Sequence, residues 1–286
     1  MHIEEKNNIK NIIFDIIGTI IGAFIMAIGV SLFLLPNQLS SGGIAGIATI
    51  TYYLFNIPMG TMILIILGDG VVANVNLNKS GMKGAGAVQI TFAWGLAVLL
   101  PAFIFGEASG ASFNPALTIA LAVDGSFAWS MVPGYIIAQI AGAFVGGCIV
   151  YLLFKGQFDA TEDPGTKLGV FCTGPSIANT GLNIFSEAVG TFILVFAIKG
   201  MANVPELTDG LGKFIVFGII VSIGMSLGGL TGYAINPARD LGPRLAHAVL
   251  PIKGKGSSNW GYGVVTLVGP VIGAVAAVLL YGAIPW

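Results

Sequence analysis

The tripeptide Asn-Pro-Ala stands twice in this chain, at Asn114-Pro115-Ala116 and Asn236-Pro237-Ala238, each time opening a short apolar run. Asparagine is a strong helix N-cap, and proline fits the first helical position, where its missing N–H costs nothing. One such tripeptide marks an ordinary helix start. Here the match extends around it: Ser109-Gly110-Ala111-Ser112-Phe113-Asn114-Pro115-Ala116 aligns with Thr231-Gly232-Tyr233-Ala234-Ile235-Asn236-Pro237-Ala238. A second pair lies upstream, Gly60-Thr61-Met62-Ile63-Leu64-Ile65 against Gly190-Thr191-Phe192-Ile193-Leu194-Val195. From residue 59 onward the chain is therefore an internal duplication.

The solvent of this duplication is a bilayer. Of the 286 residues, 55% are hydrophobic and 9% charged, against roughly 25% charged in an average soluble domain. Mean hydropathy is +0.91. Runs long enough for a spanning helix are Ile12–Leu35, Met59–Leu77, Val88–Phe105, Trp129–Phe154, Ile184–Met201, Phe214–Leu227 (extended by flanking small residues) and Val264–Ile284. The first is too long for a signal-peptide core, and Glu4 and Glu5 spoil a basic leader. Gly43–Phe55, Pro115–Val123 and Pro237–Val249 are too short to span and read as re-entrant. A net charge of −1 leaves no basic footprint for nucleic acid. The 42 glycines suit closely packed helices.

Each half of the duplication holds three spans and one short helix, and because three is odd the second half is inverted. Inversion brings the two Asn-capped N-termini together near the midplane, where their positive dipole ends and amide donors face a shared space. That space suits the oxygen of a passing neutral molecule and disfavours cations and protons. It performs no chemistry. Cys148 and Cys172 fit no metal spacing and resemble no disulfide framework, His2 and His247 are the only histidines, and no cofactor is expected. Gly68-Asp69 matches half of an intramembrane aspartyl protease signature, but Ile66 stands where that signature needs Gly and no partner Asp follows; no His-Glu-x-x-His run exists either. Asp69 receives no role from the sequence.

Residues 59–286 resemble the major intrinsic protein family, the aquaporins and aquaglyceroporins, through Ser112-Phe113-Asn114-Pro115-Ala116-Leu117-Thr118 and Gly232-Tyr233-Ala234-Ile235-Asn236-Pro237-Ala238-Arg239-Asp240. The resemblance implies an all-α membrane fold: an inverted repeat of six transmembrane helices with two re-entrant half-helices, usually a homotetramer with one pore per subunit. It places a constriction at Trp94, Gly224, Tyr233 and Arg239. Gly224 stands where water-selective members usually carry His, so the set is similar to the glycerol facilitator branch. Tyr151, Asp240 and Arg244 agree with that branch, whereas Thr266 stands where it usually has Pro, and Ser112 where His is common. Glu187, inside the membrane, is expected to hold N–H groups of the second re-entrant loop. The function implied is a passive channel for glycerol and similar small neutral solutes, with some water, in a bacterial cytoplasmic membrane. The competing class is a non-conducting protein whose amino terminus disrupts pore or tetramer.

That amino terminus does not look like the rest. Residues 9–58, through the run from Gly29 to Ala48 with Leu35-Pro36-Asn37-Gln38-Leu39-Ser40-Ser41-Gly42-Gly43, resemble the opening of YitT-type bacterial membrane proteins. The chain reads as a mosaic: a hydrophobic helix or hairpin over 1–58, then a channel domain over 59–286 with repeats 59–155 and 184–286. Glu187 lies three residues before Gly190, so its counterpart in the first repeat falls on Ile57. Weaker ordering of the Asn114 loop is expected from that exchange.

Overall fold

The computed structural model describes residues 59–207 and 210–285. The hydrophobic helix or hairpin expected over 1–58, including Ile12–Leu35, Gly43–Phe55 and Ile57, lies outside the described residues. Six helices among those described are long and apolar enough to cross a membrane: α1 (Met59–Asn76), α2 (Ala87–Ser109), α4 (Val132–Leu153), α7 (Thr180–Met201), α8 (Leu211–Thr231) and α10 (Trp260–Ala283). With 18 to 24 residues each, they reach about 27–36 Å at about 1.5 Å per residue. Two further helices are too short to span, α3 (Pro115–Val123) and α9 (Pro237–Val249). The connection between the repeats carries α5 (Lys155–Ala160) and α6 (Pro164–Phe171).

Local chemistry sets the boundaries. Asn114 and Asn236 cap α3 and α9 with proline just inside, so both half-helices begin where the sequence places them. The spanning helices before them, α2 and α8, end on Gly110 and Gly232, with φ of 65° and 79°. Their N–H groups return to the carbonyls of Gly106 and Gly228, the left-handed cap that glycine adopts without a Cβ penalty. Helix α8 is longer than the apolar run Phe214–Leu227: Gly228, Gly229 and Thr231 continue it at one end, Lys213 and Gly212 at the other. Small and charged residues interrupt hydropathy without interrupting backbone hydrogen bonds.

Packing repeats the duplication. Helix α1 lies on α2 and α4, and α7 correspondingly on α8 and α10. The half-helices cross over, α3 packing on α10 and α9 on α4, while α2 and α8 join the two halves. Glycine permits the equivalent tight contacts. A Cβ on Gly146 of α4 would stand 2.8 Å from the Met62 carbonyl oxygen of α1; one on Gly273 of α10 would stand 2.0 Å from the Ala188 carbonyl oxygen of α7. Dispersion between closely approaching backbones holds helices together in lipid, where the hydrophobic effect offers little between them.

Candidate functional site

The half-helices meet through their capping residues. Asn114 Oδ1 accepts from the Ala116 N–H at 2.9 Å, and its Nδ2 donates to the Ile235 carbonyl at 2.7 Å. Asn236 mirrors it: Oδ1 accepts from Ala238 and Arg239 N–H at 3.0 and 3.3 Å, and Nδ2 donates to the Phe113 carbonyl at 2.9 Å. Each asparagine thus bonds the residue just before the other, locking the two loops together. A side-chain amide has two N–H donors. The second on each asparagine is left for the cavity, which both residues line.

The loops share one strained position, and the second loop has another. Ala111 and Tyr233 have φ of 54° and 38°, and Ile235 has 42°, a region that a β-branched residue rarely visits. Glu187 Oε1 and Oε2 accept from the N–H groups of Ala234 and Ile235 at 2.9 and 2.8 Å. Two charge-assisted bonds from one buried carboxylate offset that strain. The first loop has a different anchor. Gln139 Nε2 of α4 donates to the Ser112 carbonyl at 2.6 Å and to Thr118 Oγ1 at 2.9 Å, and Ser112 Oγ stands 2.7 Å from Thr118 Oγ1.

A cavity of about 350 Å³ runs along this junction. Most of its wall is apolar; its polar groups include Asn114, Asn236 and Arg239, with Lys213 toward the other end. Trp94 and Tyr233 also line it. The Arg239 guanidinium carbon lies 4.2 Å from the centroid of a Trp94 ring, a cation–π contact. Arg239 Nη1 is 3.3 Å from the Phe171 carbonyl oxygen and 3.4 Å from Asp69 Oδ1. Trp94, Tyr233 and Arg239 are therefore brought together.

Gly224 stands against Tyr233. A Cβ there would stand 2.8 Å from Tyr233 Cζ and 2.9 Å from Thr91 Cγ2. Its missing side chain makes room for the Tyr233 ring, and the ring faces the cavity.

The remaining sequence candidates stand behind the wall. Asp240, fully buried, accepts from Thr173 N–H and Oγ1 at 2.8 and 2.9 Å, and from Arg244 Nε and Nη2 at 2.8 and 3.0 Å. Thr266 Oγ1 lies 3.0 Å from Asp240 Oδ1, so this departure from the branch pattern adds a donor to the carboxylate. Arg244 also donates to the carbonyls of Ser258, Asn259 and Thr173. Tyr151 donates to the Pro251 carbonyl at 3.2 Å. Asp240 and Arg244 tie the connection after α6 and the loop before α10 onto α9, and Tyr151 ties that same loop to α4. Sequence reasoning missed Phe171 and Thr173 and left Asp69 without a role; the Asp163-Pro164 cap signal points to α6 but not to what its far end touches. Gly224-Met225-Ser226-Leu227-Gly228 spells Gly-x-Ser-x-Gly, but it lies inside α8, without the strand-to-helix turn that exposes a nucleophile. Cys148 and Cys172 are free thiols.

Residues 49–281 match the family described as Major intrinsic protein. The match reaches back before residue 59, where the duplication begins. A probable glycerol uptake facilitator protein of Thermotoga maritima is 53% identical over 223 residues, covering 78% of this chain and 95% of the relative. The glycerol uptake facilitator protein of Bacillus subtilis is 54% identical over 225 residues, 79% and 82% of the two chains. The X-ray structure of the aquaglyceroporin from Plasmodium falciparum superimposes with a TM-score of 0.68 at 32% identity, covering 78% of this chain and 91% of that one.

Proposed function

Because this chain belongs to the major intrinsic protein family, we propose that it is a multi-pass cell-membrane channel through which glycerol and similar small neutral solutes move down their own gradient, with some water. The observation that carries the reading is a mostly apolar cavity with Arg239 and the two asparagine amides among its polar wall groups. A hydroxyl stripped of water without a partner costs on the order of 2–7 kcal/mol. A polyol carries hydroxyls on one edge and carbon on the other. Arg239 and the amides of Asn114 and Asn236 replace lost water hydrogen bonds in turn, while Trp94 and Tyr233 receive the carbon edge. The N-termini of α3 and α9, each worth about +0.5 charge, raise the energy of a cation or proton at the same point. Nothing in the cycle is covalent, so the protein acts as a channel and not as an enzyme.

The finer readings rest on the sequence. Residues 59–286 form the channel domain, with repeats 59–155 and 184–286, and 1–58 is a separate YitT-like segment. The channel assembles as a homotetramer, for which exposed apolar side chains such as Phe92, Leu96, Phe185 and Leu279 provide surface that suits lipid or another copy. Purified protein in liposomes under an inward glycerol gradient tests the function. Swelling well above that of empty vesicles is expected; swelling no faster than theirs selects the non-conducting alternative. Native mass measurement in detergent tests the tetramer.

A further inference from the structure

The Gly68-Asp69-Gly70 run in the middle of α1 has no part in the pore so far described. Asp69 is the only charged residue of α1 and is fully buried. A charge inside a membrane helix is costly, and it persists where it has a partner and a task. The partner is Arg239, whose Nη1 lies 3.4 Å from Asp69 Oδ1, at the long edge of hydrogen bonding. Asp69 Oδ2 has no donor among the described residues. Arg239 lines the cavity and Asp69 does not, so the guanidinium stands between the carboxylate and the solute. The neighbouring glycine acts on the other half of the same contact. A Cβ on Gly68 would fall 2.4 Å from the Trp94 ring, so its absence lets the indole lie against α1 and under the guanidinium. One turn of α1 thus seats two of the constriction residues.

We propose that Asp69 is a positioning residue and counter-charge for Arg239, making the constriction electrically neutral and so selective for uncharged solutes over ions of either sign. This rests on the channel reading given above. With both charges present, neither a small anion nor a small cation finds an unbalanced opposite charge at the narrowest polar point. Removing the carboxylate leaves the guanidinium unbalanced and favours anions; removing the guanidinium leaves a fully buried carboxyl that takes up a proton instead of staying charged alone, and removing both likewise leaves no charge. A carboxylate that merely packed the helix would give, on removal, no anion leak that depends on Arg239.

The test uses the full-length protein in liposomes, with glycerol swelling and the diffusion potential under a potassium nitrate gradient read on the same vesicles. Asp69→Asn is expected to raise the nitrate-to-glycerol flux ratio by on the order of tenfold, with a diffusion potential of the anion-selective sign. Arg239→Ala and the double variant should both lack that potential. An unchanged ratio in Asp69→Asn, or an anion-selective potential that persists in the double variant, overturns the proposal. If Asp69→Asn alone cannot be reconstituted, recovery in the double variant supports it, because the lone buried guanidinium was then the fault. If no variant lacking Asp69 can be reconstituted, the double variant included, the carboxylate is structural and the proposal is overturned. Failure of the wild-type vesicles to swell in glycerol would instead defeat the channel reading.

Discussion

Gly224→Ala is expected to slow glycerol markedly although it adds a single methyl group. The new Cβ would stand 2.8 and 3.0 Å from Cζ and Cε2 of Tyr233 and 2.9 Å from Cγ2 of Thr91, closer than packed carbons normally approach. Thr91 is buried, its hydroxyl 3.0 Å from the Ala87 carbonyl oxygen on its own helix. The Tyr233 ring borders the cavity, so it yields into open space. Overpacking of this kind costs about 1–3 kcal/mol. If about 1–2 kcal/mol of that reappears when a polyol must push the ring back, glycerol flux falls roughly 5- to 30-fold. Water, being narrower, should lose less. Stopped-flow light scattering under glycerol and impermeant-osmolyte gradients measures both fluxes. Gly229→Ala on the same helix, where a Cβ meets nothing within 4 Å, controls for helix propensity. Equal losses of glycerol and water flux, or wild-type glycerol flux in Gly224→Ala, would refute the reasoning.

Other perturbations probe the loops. Glu187→Gln replaces one of two accepting oxygens with a donor that faces an N–H, so stability should drop by about 1–3 kcal/mol and glycerol flux with it; an unchanged melting temperature in detergent would contradict this. Asn114→Ala and Asn236→Ala each remove an N-cap worth about 0.5–2 kcal/mol as well as a cross-loop bond. The two should be similar in cost, and the double variant less than additive because they share one network; strict additivity would mean the loops are not mutually locked. Outside the membrane, the side-chain and backbone hydrogen bonds from Thr166 hold the Asp163 carboxyl below the ordinary aspartate range. A depressed folded-state pKa contributes stability above the unfolded value and loses it as pH falls through the folded one. The difference in amide exchange of α6 between wild type and Asp163→Asn should therefore be present at neutral pH and vanish in acid; a pH-independent difference would argue against the cap.

Several elements were legible residue by residue. Pro115–Val123 and Pro237–Val249 could be bounded in advance because an asparagine cap and an N1 proline act within one helical turn. The spans were legible from hydropathy, though their ends were not: α7 begins at Thr180, four residues before the apolar run at Ile184, because the Asn179 side chain accepts from the Leu182 N–H and hydropathy carries no trace of that bond. Glu187 was marked by its position in the repeat. Asp69 could not be placed, because its partner Arg239 lies 170 residues away.

By itself the sequence determined the class of solvent, the number and inversion of the repeats, and the two points where re-entrant helices begin. Each depends on short windows of residue chemistry or on self-similarity along the chain. Tertiary structure alone decided what Gly224 and Gly68 are for. An absent side chain takes its meaning from whichever atoms fill its place, and those belong to Tyr233 and Trp94 on other segments of the chain. The same holds for the buried charges. Asp69 acquires a role only when folding places it behind Arg239, because electrostatics in a membrane interior depends on distance through space and not on separation along the chain.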